Sequence, residues 1–268
     1  MKVKDINEYF LSRADWVDRS RTVDCVKAGG DPEEDVDRCV VAWIPSFEAL
    51  RIAAQKGVKL FITHEPTYYG HWDSDPEGSP GAKAKFEFVK KHHITVLRNH
   101  DAWDRWPEVG IPWAWADFLG LGNQPAAIGA NGYQHRYDIQ PVSFGAFAER
   151  VAARTAAIGE PVVEINGDLK QPVSKIGIGT GCGCDVVEYI EKMGCDCCIV
   201  CDDGSTSYGS VLYATDKRVP VICVNHCTSE EPGMVSMVKY INEKIDGLTA
   251  EHIPQGCQFK LFGVHPKG

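Results

Sequence analysis

The sequence predicts an α/β fold of two similar lobes, each a mixed β-sheet flanked by helices. Three features point there: apolar runs of strand length alternate with helix-period segments, glycines close the helices, and the second half of the chain repeats the order of the first. At 268 residues and 44% hydrophobic, the chain has the material for a sizeable core and the length for one large domain or two modest ones.

In chain order, CVVAWI at 39–44 reads as a buried strand, and Ser46 caps a helix over FEALRIAAQKG that Gly57 ends. VKLFIT at 58–63 is a second buried strand. It delivers His64, Glu65 and Pro66 just past its C-terminal end, where ligands sit in α/β sheets. The pattern repeats with a helix over roughly 82–92, the strand ITVLRN, and the loop from His100 to Asp104. Trp113 to Leu119 forms another helix closed by Gly120.

The Gly, Pro and Asn of LGNQPAAIGANGYQ mark the boundary, which places a first lobe at 1–125 and a second at 126–268, with ligand loops from both and a C-terminal segment able to return to the first. The second series runs through the helix SFGAFAERVAARTAA, the strands PVVEI and SKIGIG, a Gly/Cys loop, the helix DVVEYIEKMG, the strands CDCCIV and PVICVN, and a final helix near 232–245.

The formal charge of −9, with no run of Lys or Arg longer than two, argues against nucleic acid as a partner. No stretch approaches the roughly 18 apolar residues of a membrane span, and the start MKVKD lacks the apolar core of a secretion signal, so the expected setting is the cytoplasm, with no membrane partner. Eleven cysteines in a long chain, an odd number, predict reduced thiols.

Laying Gly57 over Gly194 aligns EALRIAAQKGVKLFITHEP with VVEYIEKMGCDCCIVCDD, and the next strand of each half ends in Asn-His with a carboxylate four residues after the histidine. These are His100 with Asp104 and His226 with Glu230. If strand ends of both halves face one cleft, His64, Glu65, Asp104, His226 and Glu230 bring together nitrogen and oxygen donors suited to borderline divalent metals such as Zn, Mn, Fe or Co. Two such ions roughly 3.5–4 Å apart, bridged by carboxylates, make a hydrolytic clamp.

Each residue also has a plainer reading. His64 could be a loop histidine bonded to backbone and Glu65 a solvated charge. Glu230 could be a helix N-terminal acid with Thr228 or Ser229 as cap. Asp101 competes with Asp104, and the repeat favours the latter. Cys195, Cys198 and Cys201 make C-x-x-C-x-x-C, and Cys182 with Cys184 makes C-x-C, which invites a zinc or iron-sulfur site. A strand would alternate those side chains between faces, which favours small buried residues. Cys227, beside a candidate ligand, is an oxidisable thiol or an orienting group. GIGTGCGCD could cradle an anion on backbone N–H groups but lacks the Lys-Ser/Thr of a P-loop. Tyr68, Tyr69, Trp72, Trp103 and Trp106 flank the ligand loops and could wall a planar heterocycle or pack a core.

With those residues in place, nearly the whole chain resembles the Nif-three-like (NGG-one-interacting-factor-three) dinuclear metal-centre family, whose bacterial members carry the label type two GTP cyclohydrolase I. ITHEP stands where the family has a strand ending in His-His-Pro, His100 to Asp104 where it has His-x-x-Leu-Asp, and NHCTSE where it has Gly-His-x-x-x-Glu. GIGTGCGCD and GCDCCIVCDDG resemble its Gly-Ser-rich loop and Gly-Ala-Asp strand. The resemblance implies His64, Asp104, His226 and Glu230 as metal ligands, with Glu65 in the place of the second histidine, a change that adds charge and shifts preference from Zn toward Mn or Fe, or weakens one of two sites. DDGSTSYG carries no histidine where the family has Lys-x-His, so substrate preference is expected to differ.

The resemblance further implies a homohexamer, one or two divalent ions per chain (Zn, Mn or Fe), and a hydrolase acting on a C–N bond of a small heterocyclic or nucleotide-like substrate. Glu65 or His100 is then a ligand, a group behind the ligands or a proton shuttle, the two catalytic candidates. The rivals are a metal-binding oligomeric scaffold without turnover and a thiol-based iron-sulfur protein.

Overall fold

The structure is a computed structural model that describes residues 1–73, 75–260 and 262. Among these, the α-helices in chain order are α1 (Val3–Leu11), α2 (Phe47–Gln55), α3 (Pro80–Lys91), α4 (Asp101–Asp104), α5 (Ile111–Phe118), α6 (Phe144–Thr155), α7 (Leu212–Lys217) and α8 (His226–Lys244). The strands are β1 (Val26–Ala28), β2 (Arg38–Ala42), β3 (Leu60–Thr63), β4 (Thr95–Arg98), β5 (Ala127–Ile128), β6 (His135–Ser143), β7 (Glu164–Asn166), β8 (Pro172–Ile178), β9 (Cys197–Cys201), β10 (Val221–Val224) and β11 (Thr249–His252).

The chain forms two compact units. One comprises Met1–Ile111 and Gly233–Pro254; the other comprises Pro112–Pro232 and the described residues from Gln255 onward. The division falls ahead of the Gly/Pro-rich stretch near 125 because Trp115, Ala116 and Leu119, on and just after α5, are buried in the core of the second unit. The segment from Gly233 belongs to the first unit, where β11 extends the sheet beside β2.

The first unit's sheet has the order β1-β4-β3-β2-β11, parallel except for the edge strand β1. Val40, Phe61 and Val96 on one face pack with Ala49, Leu50 and Ala53 of α2 and Ala82 and Val89 of α3. Val41, Ile62 and Leu97 on the other face are also fully buried. Coverage of both faces explains why these strands read as continuous apolar runs, each such side chain contributing roughly 1.5–3 kcal/mol of burial.

The second unit's sheet has the order β5-β6-β8-β9-β10-β7, with β8, β9 and β10 parallel and β5, β6 and β7 running antiparallel to their neighbours. β7-β10-β9-β8 therefore repeats β1-β4-β3-β2, down to the antiparallel edge strand. Thr63 pairs with Arg98 as Cys201 pairs with Val224, in each case immediately ahead of Asn-His. Gly57 and Gly194 both adopt a left-handed φ of 64°, a conformation that glycine takes without strain.

Several elements differ from expectation, and α1, β1, β5, α7 and β11 have no counterpart in the sequence reading. The segment DVVEYIEKMG contains a π-helical turn, Glu188–Lys192, instead of a regular helix. The last helix begins at His226, not near 232, because the Asp202 carboxylate takes the His226 N–H at 2.7 Å and starts the helix well before Pro232, which lies inside it. Glu230 is thus one turn into α8, which removes its reading as an acid at the start of a helix capped by Thr228 or Ser229; Ser229 Oγ instead donates to the His226 carbonyl. β6, nine residues long, has no counterpart in the sequence reading.

Candidate metal centre

In the first unit, β3 and β4 end side by side and set their following residues at one place. His64 is fully buried, Asp104 is 7% exposed, and His100 is half-buried. Asp104 lies between the two imidazoles, with Oδ1 3.4 Å from His64 Nε2 and Oδ2 3.3 Å from His100 Nδ1. The two rings stack at 4.4 Å between centroids and 13° between planes. One ligand atom from each of His64, His100 and Asp104 lies within 4.8 Å of the others, a donor set of two imidazole nitrogens and a carboxylate that fits a borderline divalent cation.

Two buried charged residues build this arrangement. Asp24 accepts from the backbone N–H groups of His100 at 2.7 Å, Asp101 at 2.9 Å and Ala102 at 2.8 Å, closing the start of α4. Burial, followed by the neighbouring Asp101, raises the Asp24 carboxyl above its ordinary range. Arg98, fully buried, donates from Nε to the His64 carbonyl at 2.8 Å, from Nη1 to the His71 carbonyl, and from Nη2 to Glu65 Oε2 at 3.2 Å. One guanidinium thereby ties both ends of the segment that follows β3.

Glu65 meets Arg98 through Oε2, and its Oε1 lies 4.0 Å from His100 Nε2. Asp101, the competitor of Asp104, accepts from Thr22 Oγ1 at 2.8 Å and meets His100 Nδ1 at 2.9 Å, so it orients the imidazole from behind. Burial alone would lower the His100 imidazole, but Asp104, Asp101 and Glu65 outweigh it and raise it to about 10. Burial would raise Asp101, yet His100 and Thr22 hold it well below the ordinary carboxylate range. His71, whose ring meets His100 edge-on at 5.8 Å, is lowered by burial and by Arg98.

In the second unit, Asp202 and Asn225 directly follow β9 and β10. Asp202 accepts from His226 N at 2.7 Å and from Asn225 Nδ2 at 2.8 Å, and Glu160 accepts the Asn225 N–H at 2.9 Å. His226 Nδ1 lies 2.7 Å from Asp203 Oδ2, and Nε2 lies 3.1 Å from Glu230 Oε1 one turn along α8. The pair is buried, at 8% and 3% exposure. Gly181, from the Gly/Cys loop, has a φ of 50°, and a Cβ there would stand 2.6 Å from His226 Nε2 and 2.9 Å from Glu230 Oε1. The loop thus backs directly onto these two side chains.

The cysteine segment is structural. Cys195, Cys197, Cys198 and Cys201 are buried, none of the eleven cysteines is in a disulfide, and among the described residues no donor group close enough for a metal contains a cysteine. Burial pushes the Cys195 thiol up to about 12. Trp103 and Trp106 pack with Phe10 and Tyr240, while Tyr69 and Trp72 are exposed. Sequence reasoning did not find Asp24, Arg98, His71, Asp202, Asp203 or Gly181. An arginine in the apolar run TVLR was the available signal for Arg98.

Residues 1–255 match the model of the Duf34/NIF3 (NGG1p interacting factor 3) family, and the chain belongs to that family. It is 22% identical over 230 residues to a GTP cyclohydrolase 1 type 2 homolog of Clostridium perfringens, covering 81% of this chain and 82% of that protein. Its fold is that of the hypothetical protein SA1388 of Staphylococcus aureus, with a TM-score of 0.81, 17% identity and coverage of 98% and 99% of the two chains. A Bacillus cereus protein related to NIF3 gives 0.80 at 14% identity over 98% and 99%. Reduced HcgD from Methanocaldococcus jannaschii gives 0.71 at 19% over 94% and 97%. Among the described residues no helix is long and apolar enough to cross a membrane.

Proposed function

We propose that this protein is a divalent-metal-dependent hydrolase acting on a C–N bond of a small heterocyclic or nucleotide-like substrate. The observation that carries the reading is the meeting of the buried His64 and Asp104 with the half-buried His100, their donor atoms within 4.8 Å of one another, so that two proposed ligands and the proposed proton-transfer group share one place. His64, Glu65, Asp104, His226 and Glu230 are the proposed ligands, for one or two ions of Zn, Mn or Fe. A bound ion supplies Lewis acidity that acidifies a water and polarises an electrophilic carbon.

The chain's own groups divide the remaining work. Arg98 fixes the His64 backbone through its carbonyl and the Glu65 side chain through its carboxylate, whose charge it balances. His100, held from behind by Asp101, is the group positioned to accept or return a proton at Nε2, which faces Glu65. Asp203 orients His226 through Nδ1, leaving Nε2 toward Glu230. A cytoplasmic homohexamer is the proposed working form, as the sequence resemblance implies.

Metal analysis of the purified protein beside His64→Ala, Asp104→Ala, His226→Ala and Glu230→Ala tests the ligands; each variant should lose metal and remain folded. Turnover of a panel of nucleotides, cyclic amidines and amides should vanish on chelation and return with Mn, Fe or Zn. Full metal occupancy in the variants overturns the ligand assignment. Tight metal binding with no turnover across the panel replaces the enzyme by a metal-binding scaffold. Sedimentation velocity reads the hexamer.

A further inference from the structure

Asn99 stands between Arg98, which donates to the His64 carbonyl, and His100, whose ring stacks on His64. Its own N–H donates to the Thr63 carbonyl at 2.9 Å, so the parallel ladder that pairs Thr63 with Arg98 continues one step and sets Asn99 beside His64. The residue is 1% exposed, and among the described residues neither Oδ1 nor Nδ2 has a hydrogen-bond partner. A buried amide with both ends unmet is rare, because the desolvation of each polar atom goes uncompensated.

The repeat supplies the contrast. Asn225 occupies the same place after β10, and its amide is fully used: Nδ2 donates to Asp202 Oδ2 at 2.8 Å, and Oδ1 accepts from the Gln258 N–H at 3.0 Å. Asp202 follows β9 as His64 follows β3. The partner that Asn225 finds on the neighbouring strand end is thus a carboxylate, and the residue at that position beside Asn99 is an imidazole. Enclosure of the Asn99 amide keeps a solvent-borne ligand away from it, and the ladder sets His64 on the neighbouring strand end beside it.

We propose that Asn99 is a positioning residue for His64: its amide turns so that Oδ1 accepts from Nδ1–H of the imidazole, fixing the tautomer that directs Nε2 toward Asp104 and a metal. This rests on the metal-binding reading above. The turn uses a terminal sp³–sp² torsion, which is broad and imposes little strain. Metal-ligating histidines commonly have the other ring nitrogen held in this way, and losing such a partner lowers metal affinity by about 10- to 100-fold.

The test compares wild type, Asn99→Leu and Asn99→Asp. Mn(II) affinity is measured by competition with a chelator, and the His64 tautomer by long-range ¹H–¹⁵N correlation in both metal-free and Zn(II)-loaded protein, Zn(II) being diamagnetic. Asn99→Leu should lower affinity about 10- to 100-fold and, by removing the acceptor of His64 Nδ1–H, shift the metal-free imidazole away from the wild-type tautomer. Asn99→Asp, which keeps the acceptor, should restore affinity to within about threefold of wild type and retain the wild-type tautomer. Unchanged affinity in Asn99→Leu, or a tautomer indifferent to the substitution, overturns the proposal. If wild type binds no metal, the metal-binding reading fails by itself, and the tautomer comparison in the metal-free protein still decides the role of Asn99.

Discussion

The two Asn-His strand ends share a backbone plan and differ in electrostatics. In both units a carboxylate takes the histidine N–H at 2.7 Å, Asp24 for His100 and Asp202 for His226. Around His100 lie a second imidazole and a buried guanidinium, so its carboxylates are matched by cationic partners within the same unit. Around His226 lie Asp202, Asp203 and Glu230, one imidazole among three carboxylates. A duplicated scaffold therefore fixes where the histidine stands, while the residues at the end of the neighbouring strand decide its charge environment.

Breaking the internal balance of the first unit should produce the largest effect. Arg98→Ala removes three donations, one of them to the Glu65 carboxylate, with an expected loss of about 3–5 kcal/mol by chemical denaturation. A loss below about 1 kcal/mol would show that Arg98 is not what holds the segment after β3. Combining it with Glu65→Gln should recover part of the loss, because the carboxylate that Arg98 met goes too.

The shared backbone plan is tested by Asp24→Ala against Asp202→Ala. Asp24 is 2% exposed and accepts three N–H groups, so its loss should cost about 2–4 kcal/mol; Asp202 is exposed, and its loss should cost about 1 kcal/mol. Equal costs would mean that burial does not separate the two caps.

A pH series sharpens the charge contrast. In the metal-free protein His100 is raised from 6.5 to about 10, so the folded state holds its proton more tightly than the unfolded chain. That stabilisation is complete below about pH 6.5 and is lost as pH rises through about 10. Unfolding free energies of wild type and His100→Gln should therefore converge across this interval, by an amount on the order of 1–3 kcal/mol. A constant difference would remove Asp104, Asp101 and Glu65 as the cause.

Much of the fold was legible because burial on both faces leaves uninterrupted apolar runs, as in VKLFIT and CDCCIV, and because Gly57, Gly120 and Gly194 end their helices in left-handed conformations. β6 was not legible: in HRYDIQPVS, polar and half-exposed positions break both periods. The repeat of Asn-His with a carboxylate located His100, Asp104, His226 and Glu230. Asp24, Asp202 and Arg98 escaped because they act on backbone groups distant in sequence, which no spacing records.

Gly181 closes off one route of change. The volume a methyl group would need at that position is the volume in which the imidazole of His226 and the carboxylate of Glu230 approach each other. The bare backbone works as a steric gauge for the pair, and a chain that acquired alanine there would have to surrender the arrangement of those two side chains even with both still encoded.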